Sequence, residues 1–315
     1  MDPRKRWMTL ARPNQSGWTV SAAEPVGDLT TWTQRLRAMA GERAGGGAVA
    51  LGVDLPLGVP RAYAERHCES ADFPTFLRKL VERPRFFEVC ATLVEISADR
   101  PFYPARGVRG MTRASHAAAL GLGGARGLSR DCDQATAARP AGAPLFWTLG
   151  ANQTGKAAIT AWRDWLLPAL SGDRPPRLWP FEGSLASLVA PGAVVVAETY
   201  PAEAMRQLGV RMGGSKRRQA DRAALAPALL AALAEVRAAP DAGLRAAIAD
   251  GFGVDAAGED RFDSLLGVMC LVAVLNGQQP DFVPDDPWIR RWEGWVLGQT
   301  DLPVRHVILE PDDVG

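Results

Sequence analysis

Two short apolar runs, each ending in an acid, constrain this chain more than any other feature. Ala48-Val49-Ala50-Leu51-Gly52-Val53 leads into Asp54, and Ala193-Val194-Val195-Val196-Ala197 leads into Glu198. Apolar runs this short, without polar alternation, read as strands covered on both faces rather than as helices. Strands of that kind belong to α/β folds, which bind ligands beyond the carboxyl ends of their strands. The sequence therefore delivers a carboxylate twice to the edge where such folds do their chemistry.

The remaining elements fit around these strands. Trp7 to Ala11 and Trp18 to Ala22 flank the turn Arg12-Pro13-Asn14-Gln15-Ser16-Gly17 and read as a hairpin. Trp32, Leu36 and Met39 recur at helical spacing within Thr31 to Ala40, which precedes the Gly45-Gly46-Gly47 break. Helices are expected over Phe73 to Val81, Ala157 to Leu170, Ala220 to Ala238, Leu244 to Ala249 and Asp260 to Leu275. The last carries the stripe Phe262, Leu265, Leu266, Met269 and Val272. Glu293-Gly294-Trp295-Val296-Leu297 reads as an edge element. The chain is expected to form one elaborated domain, 1–315, with 61–180 as a largely helical insertion between core strands.

Composition narrows the function. A formal charge of +1 excludes the global basic field that drives non-specific nucleic-acid binding, so a phosphate site has to be a local patch. Cys68, Cys90, Cys132 and Cys270 are widely spaced, which points to neither a zinc site nor a disulfide framework but to reduced, mostly buried thiols. There is no apolar run long enough to span a bilayer and no signal-peptide pattern, so the expected location is cytoplasmic, away from membranes.

Asp260 and Asp263 lie three apart at the start of the last helix and share one face of it. With Asp54 and Glu198 they make four carboxylates able to converge. Convergent carboxylates repel one another and are costly to desolvate, and a hard divalent cation, Mg²⁺ or Mn²⁺, relieves both. Such ions generate hydroxide and stabilise leaving oxygens in phosphodiester hydrolysis. Taken singly, each acid has a plainer reading as a turn cap or a complement to a helix dipole. Gly213-Gly214-Ser215-Lys216-Arg217-Arg218, after the Glu198 strand, is a basic turn suited to phosphate, or a solvated run capping the next helix.

In order along the chain, Gly52-Val53-Asp54-Leu55-Pro56-Leu57-Gly58-Val59-Pro60, Glu198-Thr199-Tyr200-Pro201-Ala202-Glu203, Lys216-Arg217-Arg218 and Asp260-Arg261-Phe262-Asp263-Ser264-Leu265 resemble the motifs of the DUF429 family of predicted nucleases. Ser16-Gly17-Trp18 and Glu293-Gly294-Trp295-Val296-Leu297 resemble that family's two ends. The resemblance implies a ribonuclease H-like three-layer fold with a mixed central sheet. It also implies a metal site of Asp54, Glu198 and Asp263, with Asp260 as a further catalytic acid. One departure stands out: Ala11 and Arg12 occupy the place where the family's first strand ends in an Asp. Either the remaining acids hold the metal, or Arg12 contacts phosphate, or catalysis is lost.

The expected function is a metal-dependent nuclease or phosphodiesterase acting on nucleic acid, with Lys216, Arg217, Arg218 and Arg12 binding substrate. The first alternative is a catalytically impaired nucleic-acid- or protein-binding member of the same fold. The second is a nucleotide-binding protein using Gly150-Ala151-Asn152-Gln153-Thr154-Gly155-Lys156, which has phosphate-loop spacing but puts Ala157 where a magnesium-binding hydroxyl belongs. Arg106, Arg109, Arg113, Arg126 and Arg130 lie in a Gly-rich stretch positioned to join the basic patch or close over it, and their spacing selects none of them. His67, His116 and His306 form no hydrolase triad and read as surface or helix residues. Trp147, Trp162, Trp165 and Trp179 would serve as base-stacking surfaces or, more commonly at such spacing, as core.

Overall fold

The apolar runs form parallel strands, as their unbroken hydrophobicity demands. The computed structural model describes residues 6–41, 46–107, 109–150 and 154–304. Among the described residues there are eight short strands: β1 Trp7–Met8, β2 Ala11–Asn14, β3 Gly17–Val20, β4 Glu24–Pro25, β5 Val49–Val53, β6 Arg177–Leu178, β7 Val194–Glu198 and β8 Ala238–Pro240. β5, β7 and β6 make a parallel three-stranded sheet with β7 in the middle, and all five residues of β7 are buried. β2, β3 and β8 form a second sheet, and β1 pairs with β4 in a third. The architecture is mixed α/β, with several small sheets in place of the one central sheet expected from the resemblance.

The first hairpin is narrower than the sequence reading. Asn14 pairs with Gly17 across a loop of Gln15 and Ser16, the Asn14 side chain accepts the Ser16 N–H at 2.8 Å, and the first arm divides between β1 and β2. Gly17 has φ +145°, and a Cβ there would lie 2.1 Å from the Arg237 carbonyl oxygen, so only glycine lets β3 run beside β8.

The long Gly258–Leu275 helix takes its first-turn acids, Glu259 and Asp260, where the helix dipole favours them. Past Phe262 it is buried on most sides. The expected Ala220–Ala238 helix is divided into Gln219–Ala223 and Ala226–Glu235, and Arg237, at φ +54°, turns the chain into β8. The 293–297 segment is not a strand: Glu293 ends the π-helical segment Ile289–Glu293, the chain then runs irregularly into a turn at Leu297, and the Leu297 N–H donates to the Glu198 carbonyl oxygen at 2.8 Å.

Three apolar clusters hold these elements. The largest joins Trp32 and Leu36 of the Leu29–Gly41 helix to Phe73, Phe86 and Trp162 from the 61–180 stretch and to Val194 and Val196 of β7. A second packs Val20, Leu229, Leu233 and Leu244 against Phe262 and Leu266. The third puts Val195 and Ala197 of β7 against Leu271, Trp179, Trp295 and Leu297. Cys90, Cys132 and Cys270 are buried, Cys68 is half-buried, and all are free thiols. Among the described residues, no helix is long and apolar enough to cross a membrane.

Candidate functional site

β5 and β7 run in parallel with Val53 opposite Glu198. Side chains alternate between faces along a strand, so Leu51 and Val53 share a face with Val194, Val196 and Glu198. Ala50, Gly52 and, one residue beyond the strand, Asp54 share the other face with Val195, Ala197 and Thr199. The packing follows that parity: Leu51 and Val53 join the cluster of Val194 and Val196, whereas Ala50 joins that of Val195, Ala197 and Leu271. The two strand-end acids therefore lie at one edge of the sheet but look to opposite faces.

On its face, Glu198 is enclosed by a clasp. Arg130 Nη1 donates to Glu198 Oε2 at 2.6 Å and Nη2 to Oε1 at 2.7 Å, while the Leu57 N–H donates to Oε2 at 2.7 Å. The same guanidinium binds both carboxyl oxygens of Asp133, at 2.9 Å each, and reaches the carbonyls of Leu57 at 3.0 Å and Glu293 at 3.3 Å. Burial works against the Arg130 charge, but Asp133, Cys132 and Glu198 outweigh it and raise its pKa. Burial also pushes the Glu198 carboxyl up, against the pull of Arg130. Two donors from a permanently charged group fix it as the carboxylate. Glu293, buried nearby, accepts the backbone N–H groups of Arg61 at 2.8 Å and Asp131 at 3.1 Å; burial lifts it to about 7.

The other face holds Asp54 and the start of the Gly258–Leu275 helix. Thr199 is buried between Gly52 of β5 and Gly267 of the helix; a Cβ at Gly52 would meet the Thr199 methyl at 2.8 Å, so strand and helix approach closely there. Asp54 keeps a solvent-exposed edge, yet its crowded surroundings and the Asp263 charge raise it to about 7. Glu198 and Asp260 add to the repulsion on Asp54, and Lys216 opposes it. Lys216 Nζ lies 2.6 Å from Asp263 Oδ2 and 3.4 Å from Glu259 Oε1. Desolvation, opposed by Lys216, raises Asp263 to about 6, and Asp263 Oδ1 is buried without a hydrogen-bond partner.

The structure brings Asp54, Asp260 and Asp263 together and gives Glu198 to the clasp. Among the described residues, no group of three or more His, Cys, Asp and Glu side chains is arranged to hold a metal ion. Magnesium asks for less, being held through one or two carboxylates with water and substrate phosphates completing its shell. Asp54 and Asp263 are the carboxylates left for such a role, Asp263 with one oxygen on Lys216 and the other buried without a hydrogen-bond partner. Both oxygens of Glu198 are taken by Arg130, which removes it from the expected ligand set.

The basic turn divides in the same way. Lys216 faces the acids, Arg217 is exposed 3.9 Å from Glu259, and Arg218 pairs with Asp221 at 2.7 Å. Buried Arg222 holds the turn by donating to the Lys216 carbonyl at 2.5 Å. Arg12 lies elsewhere, in an open groove of about 470 Å³ with Glu24, Arg35 and Asp241. The chain that reaches the acid-bearing helix from the first strands is Thr9, whose hydroxyl bonds Ser264 at 2.8 Å.

Trp162 and Trp179 are fully buried, Trp165 nearly so, and their indole N–H groups donate to the Pro56 carbonyl, Asp281 and Thr33 respectively, so they serve as core. Trp147 packs on Tyr103 and His116. His116 is a helix residue, in the Arg113–Ala119 helix, and is buried, while His306 lies outside the described residues. Ala151, Asn152 and Gln153 of the phosphate-loop match also lie outside them. No strand precedes the match among the described residues, and the Gly155 N–H donates to the Trp147 carbonyl at 3.3 Å.

Arg130, Glu293, Glu259 and Thr199 are site residues that sequence reasoning did not single out for these roles. Glu293 stands in a motif already noted, and Arg130 was one of five equivalent arginines until burial distinguished it. Fold and site together define an α/β protein with carboxylates gathered at the carboxyl ends of two parallel strands and the start of the long helix. Comparison with known proteins adds no relative: no family model, no curated protein and no solved structure matches the chain.

Proposed function

We propose that the protein is a metal-dependent phosphodiesterase acting on nucleic acid, working on the face of the sheet that carries Asp54. The observation that carries this reading is the buried Asp263 Oδ1, which has no hydrogen-bond partner, together with the like charges of Asp263 and Asp260 that act on Asp54. Such an arrangement is unfavourable by itself and becomes favourable around a divalent cation. A bound Mg²⁺ or Mn²⁺ would supply a hydroxide nucleophile and stabilise the leaving oxygen. Asp54 and Asp263 would hold the ion as carboxylates, Asp260 adds negative charge from the next helical turn, and Arg217 stands at the rim to orient a phosphate. The ordered motifs shared with predicted nucleases support the same chemistry.

The test is cleavage of single- and double-stranded DNA and RNA with 5 to 10 mM Mg²⁺, roughly the excess that weak two-carboxylate sites call for. Asp54→Asn and Asp263→Asn should abolish cleavage while leaving the circular dichroism spectrum intact. Parent-level cleavage by either variant would refute the assignment.

A second reading, a binding protein without catalysis, draws on the capture of Glu198 by Arg130, which leaves the acid face one carboxylate short of the expected set. It expects no cleavage with any divalent ion, together with nucleic-acid binding that Arg217→Ala weakens.

A further inference from the structure

We propose that the stretch from Arg100 to Arg130 forms a docking surface for the phosphate backbone of nucleic acid, separate from the acid face. The proposal rests on the nucleic-acid partner of the reading above and needs none of its catalysis. These 31 residues hold six arginines and no lysine, aspartate or glutamate. Charge is segregated over the whole chain in the same sense. The 61–180 stretch carries 17 basic and 11 acidic residues within a protein of net charge +1, so the rest of the chain is net acidic. A near-neutral protein that binds a polyanion needs a local field of this kind.

The structure divides the six arginines by role. Arg100 pairs with Glu88 at 2.9 Å and Glu95 at 3.5 Å, and Arg130 closes the clasp on Glu198, so the stretch is pinned at both ends and its second end lies at the sheet edge. Arg106, Arg109, Arg113 and Arg126 between them are exposed, and among the described residues none of the four has an ion-pair partner. The backbone beneath them is held. The Ala105 N–H donates to the Cys90 carbonyl at 2.8 Å, the Thr148 hydroxyl donates to the Pro104 carbonyl at 2.6 Å, and the buried His116 ring nitrogen lies 2.8 Å from the Pro101 carbonyl. Thr112 caps the Arg113–Ala119 helix by accepting the Ser115 N–H at 3.0 Å, and the Arg113 guanidinium lies over the Trp147 ring at 5.9 Å. The Ala125–Leu128 turn, with Arg126, packs against that helix. Between the arginines the surface is open: Gly107, Gly110, Gly123 and Gly124 have nothing within 4 Å of where a Cβ would stand. The guanidinium fork matches phosphate oxygens in pairs. An anionic lipid surface would also require exposed apolar anchors, and among the described residues no large hydrophobic side chain of 100–130 is exposed, which favours nucleic acid.

Binding of labelled DNA and RNA about 20 nucleotides long, single- and double-stranded, tests the surface by fluorescence anisotropy from about 50 to 200 mM salt without divalent ions. Arg106→Gln, Arg109→Gln, Arg113→Gln and Arg126→Gln combined should weaken binding about tenfold or more at roughly 100 mM salt. The slope of log Kd against log salt should flatten by about 3, at roughly 0.7 to 0.9 per lost phosphate contact. The same four positions changed to Lys should keep the parent's slope. Arg174→Gln with Arg245→Gln, both exposed outside the stretch, should leave binding near the parent's. Should the fourfold variant fail to fold, Arg106→Gln with Arg109→Gln should show about half the slope change. Unchanged binding by the folded variant, an equal loss in the Arg174 and Arg245 variant, no nucleic-acid binding by the parent, or arginine-dependent binding to phosphatidylserine vesicles in place of nucleic acid overturns the surface. Arginine-dependent binding by a parent that cleaves nothing overturns the phosphodiesterase reading alone. Cleavage of bis(p-nitrophenyl) phosphate by a parent whose fourfold variant binds nucleic acid equally well overturns the surface alone.

Discussion

Replacing Arg130 with Met puts the clasp to its hardest test. The guanidinium is 1% exposed and makes bidentate contacts with both Glu198 and Asp133. Methionine keeps most of the stem's volume, so the loss is electrostatic: two poorly solvated carboxylates remain with no counter-charge, and the carbonyls of Leu57 and Glu293 lose a donor. Removing one partner of a buried ion pair costs about 3–5 kcal/mol. For 315 residues the unfolding entropy is about 0.66 kcal/mol/K, at roughly 2.1 cal/mol/K per residue, so the thermal midpoint should fall by about 5–8 °C at pH 8. The loss should shrink toward pH 5, because protonation removes the unpaired charge on Glu198. Adding Glu198→Gln should restore part of the midpoint at pH 8, since a neutral amide leaves less charge stranded. Thermal melts followed by circular dichroism read all of this. A drop below about 2 °C, or a double variant no more stable than the single one, would refute the clasp as a stabilising unit.

Gly58→Ala should unfold the chain or cost more than about 3 kcal/mol by urea denaturation, because Gly58 has φ +129° and its Cβ would lie 2.0 Å from the Glu293 carbonyl oxygen. Desolvation and the Asp263 charge push Asp54 up from 3.8 to about 7, so stability it contributes at low pH is lost as pH rises between these values; Asp54→Asn should flatten that slope in melts across pH 4 to 8. His116 moves the opposite way: burial lowers it from 6.5 to about 4, so the fold loses stability as pH falls through that window. His116→Gln should therefore lessen the loss between pH 6.5 and 4, and an unchanged acid slope would show that His116 charges without penalty.

Much of the architecture was readable because it depends on contiguous residues. The Val194–Glu198 strand and the Gly258–Leu275 helix declare themselves by apolar run and apolar stripe, and the structure starts the strand one residue later and the helix two residues earlier than the sequence reading. The Ala220–Ala238 stretch misleads for the complementary reason: alanine and leucine carry no stop signal, and the break comes from packing, with Arg237 held at positive φ where its carbonyl meets Trp18. The site was half legible. That Asp54 and Glu198 end strands follows from sequence; which face each takes depends on strand register, which no local pattern encodes. The Glu293-Gly294-Trp295 segment shows the same limit, since its place depends on Leu57 and Gly58 lying against it more than 230 residues earlier in the chain.

Register is what turns two similar acids into unlike parts. Had β7 slipped one residue against β5, Glu198 would join Asp54 opposite the long helix and Thr199 would meet the clasp. The observed pairing puts the acid with the longer side chain where an arginine can close on it, and the shorter acid where two glycines let the helix come near. One face of the sheet is thereby locked by Arg130, binding the Leu57–Gly58 loop, the 131–133 turn and the 293–294 turn around the base of the site. The other face keeps an excess of acid that Lys216 and, at longer range, Arg217 offset. Rigidity and unsatisfied charge are kept one strand thickness apart, so an ion or phosphate could enter the acid face without disturbing the ion pair that holds the loops in place.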